Sequence, residues 1–367
     1  MAGGTQTNNF NDTPTQLRLA VIGAGYWGPN IIRNFFDNRE CDLVAVCDRD
    51  AKRLSQLPAQ IQRQVTLLDD ASRVFEDSSI DAVAIVTDID SHRVLAEAAL
   101  TAGKHVFVEK PLATSAEDCL FLGKLSQQVK KHLMVGHTFI YNPAVAHLKQ
   151  TISKPDFGET LYLHAQRLNL GRLQVRVNAL WSLAVHDVAI ALELFDELPS
   201  SVSATGHAYI LPGVEDVTFV SLHFPSGKMA HIHTSWLDPQ KRRQVTVVGS
   251  RQMVVYDDVS LDQKIVIYDK GIDKVLKDGS KPEFQNFSEF QYLIRTGDMH
   301  IPHISFTEPL KVETQHFIDC ALGRHPKPKT GWEEGCQVVS VLEAAQVSLQ
   351  KGGIPVQIQY LLGEKVS

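Results

Sequence analysis

Apolar and polar positions change rhythm near the middle of the chain. In the first part, short unbroken apolar runs at 17–22, 43–47, 65–68, 80–86, 105–108 and 133–135 alternate with amphipathic stretches. Runs this short and this rich in branched residues predict strands buried on both faces. Between the first two runs, Pro29-Asn30 precedes Ile31, Ile32, Phe35 and Phe36 at helical spacing. A proline suits the first turn of a helix, where its missing N–H costs nothing. Further helices are expected near 51–57, closed by Pro58, over 70–75, and over 91–102, ending at Gly103. Thr114 to Glu117 reads as a capping box that opens a helix to about Lys130. Strands and helices alternating at this spacing predict a doubly wound parallel sheet.

After about residue 155, strand patterns follow one another directly, at 160–167, 202–208, 216–224, 228–236, 244–248, 253–256 and 264–268. Pro225 to Gly227 and Gly249-Ser250 supply turn chemistry between them. One long apolar helix, 179–195, interrupts the series, and helices at 309–322 and 334–349, joined by a loop at 324–331, close it. The expected fold is α/β: a doubly wound parallel domain, then a second, mostly antiparallel domain. The expected division is a disordered tail at 1–16, a first domain at 17–140 and a second at 141–367.

Composition narrows the classes. A chain of 367 residues exceeds one ordinary core, in keeping with two domains. Hydrophobic residues at 44% and charged residues at 21% are ordinary for a soluble globular protein. A net charge of −6 offers nothing to nucleic acid or an anionic membrane, and no apolar run is long enough to span a bilayer. Five cysteines without a CxxC pair suggest reduced thiols and a cytoplasmic setting. The first 16 residues have neither the basic start nor the apolar centre of a signal peptide.

Chemistry enters at the end of the first strand. Gly23, Gly25 and Gly28 stand in a G-x-G-x-x-G spacing, with Tyr26 and Trp27 inside it, between a strand and a helix. The first glycine makes the turn, the second lets a pyrophosphate approach, and the third lets helix and strand pack closely. Free N–H groups at the helix start then bind phosphate. The second strand ends in Asp48, where such a site places an acid for the ribose hydroxyls. A carboxylate there favours NAD over NADP, while Arg49 beside it would soften the repulsion of a 2′-phosphate. Ligands of such sheets sit beyond the carboxyl ends of the strands, where Thr87, Glu109-Lys110-Pro111 and Gly136-His137 fall. Lys110 projects from a strand end into the expected cleft and suits proton handling or polarising a substrate oxygen.

These residues together support a family resemblance. GAGYWGPN, GKHVFVEKPLA at 103–113, GHTFIYNPAV at 136–145 and LWSLAVHD at 180–187 resemble the Gfo/Idh/MocA oxidoreductases over nearly all of 17–362. The resemblance implies an N-terminal Rossmann dinucleotide-binding domain at 17–140 and, at 141–367, a substrate-binding and oligomerisation α/β domain with a large open, mostly antiparallel sheet. It implies NAD(P)-dependent oxidation or reduction of a sugar, cyclitol or nucleotide-sugar hydroxyl, with Lys110 facing the reacting carbon and a cis Lys110–Pro111 bond. It implies His186 as the second catalytic residue, on a helix where the family places an aspartate four residues earlier. Ser182 holds that position, and Asp187 follows His186 directly. The expected division of labour makes His186 the general base and Lys110 the stabiliser of alkoxide charge, or the reverse. The family alternatives are a redox-assisted NAD-dependent glycosidase and a catalytically weakened NAD(P)-sensing regulatory protein, the latter favoured by Ser182.

The remaining candidates are His92 near the cofactor, and Tyr141, Arg167, Asn169, Ser182 and Asp187 near the substrate. Asn142 before Pro143 reads as a helix cap. Arg167, Arg172, Arg176 and Lys241 to Arg243, if they converge on the cleft, favour an anionic substrate. His231 and His233 share a strand face without a third metal ligand, so no metal is expected. The open second sheet suggests a homodimer or homotetramer.

Overall fold

The structure is a computed structural model that describes residues 16–171, 173–272 and 294–362. Residues 1–15 of the expected tail, and Arg172, lie outside the described residues.

The first sheet has six strands: β1 Leu17–Ile22, β2 Cys41–Cys47, β3 Thr66–Leu68, β4 Ala82–Ile85, β5 His105–Glu109 and β6 Leu133–Gly136. They run parallel in the order β3-β2-β1-β4-β5-β6. The apolar runs sit where expected because both faces of a parallel sheet are covered by helices. The strand order reverses between β1 and β4, which opens a crevice at their carboxyl ends.

The second sheet is mixed and mostly antiparallel. It holds β7 Thr160–Leu168, β8 Ser201–His207, β9 Val217–His223, β10 Met229–Ser235, β11 Arg242–Gly249, β12 Met253–Asp257, β13 Ile265–Ile272, β14 Ile294–His300 and β15 Val356–Gln357. Their order is β14-β13-β12-β11-β7-β10-β9-β8-β15, and β7 pairs parallel with β10. Helices Pro143–Ile152 and Val185–Phe195 cover its inner face. The outer face is only partly covered: Tyr162, Phe219 and Met229 keep 43%, 40% and 39% exposure. On it, Phe219 stacks with His233 at 4.3 Å, and His164 with His231 at 5.7 Å.

Three features depart from the sequence reading. Ser115, one residue after Thr114, caps helix Ala116–Gln128, its Oγ accepting the Asp118 N–H at 3.1 Å. A tertiary contact fixes that start: Glu343 accepts the Ala116 N–H at 2.9 Å. The long helix at 179–195 opens with a wide π-helical turn, Leu180–Ala184, before the α-helix Val185–Phe195.

The two terminal helices also build on the first sheet as well as the second. Helix Pro309–Ala321 sets Phe317 against Phe35 and Phe107, with ring centroids 6.2 and 5.8 Å apart. Helix Trp332–Gln350 lays Trp332 so closely over Gly123 that a Cβ there would come within 2.0 Å of the ring. Just before it, Thr330 holds β6 through the Val135 N–H at 2.7 Å. An apolar stripe shows that a helix is buried but not against which sheet. One hydrophobic core, from Leu19 through Tyr141 to Val247, joins the two sheets.

Candidate active site

The glycine turn is built by close approach. Gly23 has φ +108°, and a Cβ on it would stand 2.3 Å from the Val86 carbonyl oxygen. A Cβ on Gly28 would stand 2.5 Å from the Gly23 carbonyl oxygen. Gly25 differs. A Cβ there would meet nothing nearer than Arg53 Nη1 at 3.5 Å, so the fold itself does not demand a glycine. Helix Gly28–Phe36 begins without a side-chain cap. Pro29 has no N–H and the Asn30 N–H donates to Trp27 O at 3.0 Å, which leaves the Gly28 N–H as the first-turn donor for a ligand. These features fit a dinucleotide, with Gly25 and the helix start facing its pyrophosphate.

Asp48, buried at the end of β2, braces that turn. Its Oδ2 accepts the Ala24 N–H at 2.8 Å, and its Oδ1 the Asp50 N–H at 2.9 Å. Arg53 Nη1 lies 3.4 Å from Oδ2, a neighbour that sequence spacing did not single out. Arg49 is exposed beside it, and Tyr26 is 81% exposed at the mouth of the turn. Trp27 reaches across the crevice, its Nε1 donating to Glu109 Oε1 at 2.9 Å. The glycine turn and the end of β5 are thereby tied together.

Lys110 follows β5, and the Lys110–Pro111 bond is cis. Its Nζ donates to the main-chain carbonyl of Ser182 at 3.2 Å, on the π-helical turn from the second domain. Wide turns of this kind interrupt the regular helical bonding and are frequent at functional sites. The contact is to the main chain of residue 182, not to its side chain. His186 follows in the first turn of the α-helix. Its ring packs edge-on against Phe139 at 5.0 Å, and its Nδ1 is buried without a partner among the described residues.

Burial drives the electrostatics. It holds His186 well below the usual imidazole range, helped by the charges of Lys110 and Arg167. It also lowers Lys110, with Glu109 opposing and Arg167 assisting. Glu109 is pushed up to about 7 by burial, against the pull of Lys110. An imidazole and an ammonium beside one crevice can exchange a proton with a bound hydroxyl.

Arg167 and Asp187 form a buried bidentate pair, Nε to Oδ2 at 2.8 Å and Nη2 to Oδ1 at 2.9 Å. The Arg167 guanidinium lies over the Phe139 ring, 4.3 Å from its centroid. These residues therefore stand next to His186 but hold each other. Asn169 is fixed through its backbone, its N–H donating to Ser235 O at 3.1 Å. Arg176 is exposed.

Two candidates turn inward. His92 is buried, with Nδ1 2.8 Å from Pro111 O and Nε2 3.1 Å from Thr87 O; both are acceptors, so the neutral ring donates to one of them, and both nitrogens face backbone rather than the crevice. Thr87 remains at the crevice, its Oγ1 accepting from Ser91 Oγ at 2.7 Å. The Tyr141 hydroxyl pairs with Thr330 Oγ1 at 3.0 Å inside the core, away from the crevice. Asn142 caps helix Pro143–Ile152, accepting the Ala144 N–H at 2.9 Å.

Sequence spacing did not assign two further buried groups. His137, after β6, has both ring nitrogens buried without partners among the described residues, and burial lowers it to about 3. Glu313, on a terminal helix, accepts from Thr138 Oγ1 at 2.7 Å and is pushed well up by burial and by Glu109. A His after a strand gave a positional signal for the first. Nothing local marked the second. Among the described residues no group of three or more His, Cys, Asp or Glu side chains could hold a metal, and no helix is long and apolar enough to cross a membrane. All five cysteines are buried free thiols.

Comparison with known proteins agrees with this geometry. The family model for the NAD-binding Rossmann fold of the GFO/IDH/MocA oxidoreductases matches residues 17–137, and that for the GFO/IDH/MocA C-terminal domain matches 145–255. The chain is 32% identical over 149 residues to a 1-carboxy-3-chloro-3,4-dihydroxycyclohexa-1,5-diene dehydrogenase of Comamonas testosteroni, covering 41% of this chain and 37% of that protein. It is 30% identical to an inositol 2-dehydrogenase/D-chiro-inositol 3-dehydrogenase of Halalkalibacterium halodurans, covering 58% and 63%. The chain thus spans less than two thirds of the length of both relatives. The solved UDP-N-acetylglucosamine 3-dehydrogenase of Acidithiobacillus ferrooxidans superposes with a TM-score of 0.76 at 22% identity, over 92% of this chain and 98% of that one. A parallel sheet of Rossmann order, a glycine turn shaped for a dinucleotide and matches to both domain models lead to one conclusion: the chain belongs to the Gfo/Idh/MocA family of oxidoreductases and carries its NAD-binding domain.

Proposed function

We propose that the protein is an NAD-dependent dehydrogenase or reductase acting on a CH–OH carbon of a sugar, cyclitol or nucleotide-sugar. One observation carries this reading: Lys110, from the end of the first sheet, bonds the π-helical turn that presents His186 from the second domain. An ammonium and a neutral imidazole drawn from two domains beside a dinucleotide crevice suit an alcohol oxygen.

Gly25, the open start of helix Gly28–Phe36, Thr87 and the Trp27–Glu109 bridge would hold NAD, and Asp48 would favour it over NADP. Bound NAD would supply the hydride acceptor. His186 takes the hydroxyl proton as general base. Lys110 hydrogen-bonds the same oxygen and stabilises the charge that develops as the proton leaves. In the reverse direction His186 returns the proton. In this reading residues 17–140 bind the cofactor, while 141–367 shape the substrate site and carry the oligomer contact. The partly covered outer face of the second sheet supports a homodimer or homotetramer, as size-exclusion chromatography with light scattering would test.

The direct test is a panel of cyclitols and of free and nucleotide-linked sugars, screened for NADH formation with the native protein and with Lys110→Ala. NADH formation by the native protein alone supports the reading. Undiminished turnover in the variant rejects it.

A further inference from the structure

The second sheet places two arginines face to face. In the β7–β11 ladder, Arg243 is the register partner of Arg167, so both side chains leave the same face, the one that the His186 helix covers. Like charges directly opposite one another are unfavourable unless anions compensate them. Arg167 is compensated fully by the bidentate carboxylate of Asp187. Arg243 is not. The one polar contact of its side chain among the described residues is Nη1 to Asp258 Oδ2 at 3.4 Å. The other oxygen of that carboxylate already accepts from the Tyr256 hydroxyl at 2.9 Å. The Arg243 side chain is 41% exposed, and its charge reaches the His186 ring.

The rest of the cleft has the same sign. Lys110 donates to the main-chain carbonyl of Ser182, which carries no charge. The acid beside it, Glu109, is shifted by burial toward its neutral form. Arg243 stands opposite Arg167, whose guanidinium lies over the Phe139 ring against which His186 packs, so a second cation borders the cleft that Lys110 enters. A guanidinium fork with open donors binds carboxylate or phosphate oxygens, and it gains most where no water-exposed acid competes.

We infer that Arg243 is a substrate-binding residue that selects a sugar bearing an anionic group, a carboxylate or a phosphate, whose oxygens it grips while the reacting carbinol lies between Lys110 and His186. This inference rests on the dehydrogenase reading and adds the charge of the substrate to it.

The experiment measures binding and turnover together. D-glucuronate, UDP-glucose, D-glucose and myo-inositol are titrated calorimetrically into the NAD-loaded protein, and each is assayed for NADH formation. Tighter binding of D-glucuronate or of UDP-glucose than of either neutral compound is expected, and the tighter of the two identifies carboxylate or phosphate as the anion. Arg243→Gln should weaken that ligand about 10- to 100-fold, the range of one charge-assisted contact, with an unchanged melting temperature. Arg243→Lys should restore part of the loss and guards against a folding defect in the first variant. Equal affinity for charged and neutral compounds, or an Arg243→Gln variant that binds as the native protein does, overturns the inference. Oxidation of the neutral compounds in that case leaves the dehydrogenase reading standing. Selective, Arg243-dependent anion binding with no NADH formed from any compound sinks that reading instead.

Discussion

Alanine at each of the three turn glycines should separate folding from cofactor binding. At Gly28 a Cβ would lie 2.5 Å from the Gly23 carbonyl oxygen and 3.1 Å from its carbon. Both atoms are backbone in a buried turn and cannot move aside cheaply. Relief requires a shift of the helix or the turn, costing roughly 1–3 kcal/mol as in other overpacked cores. At Gly23 the collision with Val86 O is closer, at 2.3 Å, and φ is +108°, so strain in the left-handed region adds to the clash. At Gly25 nothing lies within 3.4 Å and φ is not positive, so alanine should leave stability unchanged or raise it by about 0.4–1 kcal/mol through the unfolded chain. Its methyl group would instead occupy the space facing the pyrophosphate. Urea unfolding would give the three stabilities, and fluorescence titration with NADH would give the three affinities. The expected result is a Gly25→Ala protein of native stability whose affinity for NADH falls by more than about tenfold, equivalent to about 1.4 kcal/mol. Native affinity in that variant would refute the placement of the pyrophosphate.

Other outcomes follow from the same geometry. Ser182→Ala should keep turnover within about threefold of native, because Lys110 bonds the main-chain carbonyl; a collapse in kcat would contradict that, as the shift expected from losing one neutral hydrogen bond is small. Asp187→Ala leaves the Arg167 guanidinium buried and unpaired, which should cost about 3–5 kcal/mol in urea unfolding. A replacement of both partners by Met and Leu should recover much of that loss, and a double variant as unstable as the single one would count against it. Glu109 has a folded-state pKa raised from 4.5 to about 7, so the stability it contributes is present below about pH 4.5 and disappears as pH rises through about 7. The change is on the order of 3 kcal/mol. Glu109→Gln should flatten that part of the stability–pH curve, and curves of identical slope for the two proteins would count against the burial argument.

The cofactor half of the site was legible because its signals are local. A strand, three glycines and an acid at fixed spacing describe one βαβ unit, and Lys110 follows its strand immediately. The substrate half depends on contacts between distant elements. Arg167 and Asp187 meet across a strand and a helix, which no period in the sequence records. The same holds for Arg243 opposite Arg167, since register between non-consecutive strands is fixed by the whole sheet. The π-helical turn at Leu180–Ala184 was invisible because its residues continue the apolar pattern of an α-helix. His92 and Tyr141 lie in family-like stretches, yet their partners are Pro111 O, Thr87 O and Thr330 Oγ1, so packing claims their polar atoms. Glu313 carried no local cue, being brought against Thr138 by a helix at the far end of the chain.

The central claim is that Lys110 and His186 share one alcohol oxygen beside the nicotinamide. Single-turnover reduction of NAD by Lys110→Met and by His186→Gln, with the affinity for NADH measured on the same samples, tests it most directly. Each variant should bind NADH within about threefold of native, and each should slow hydride transfer by about 10²- to 10⁴-fold, the usual worth of a positioned proton-transfer group. A native rate constant in either variant would contradict the account.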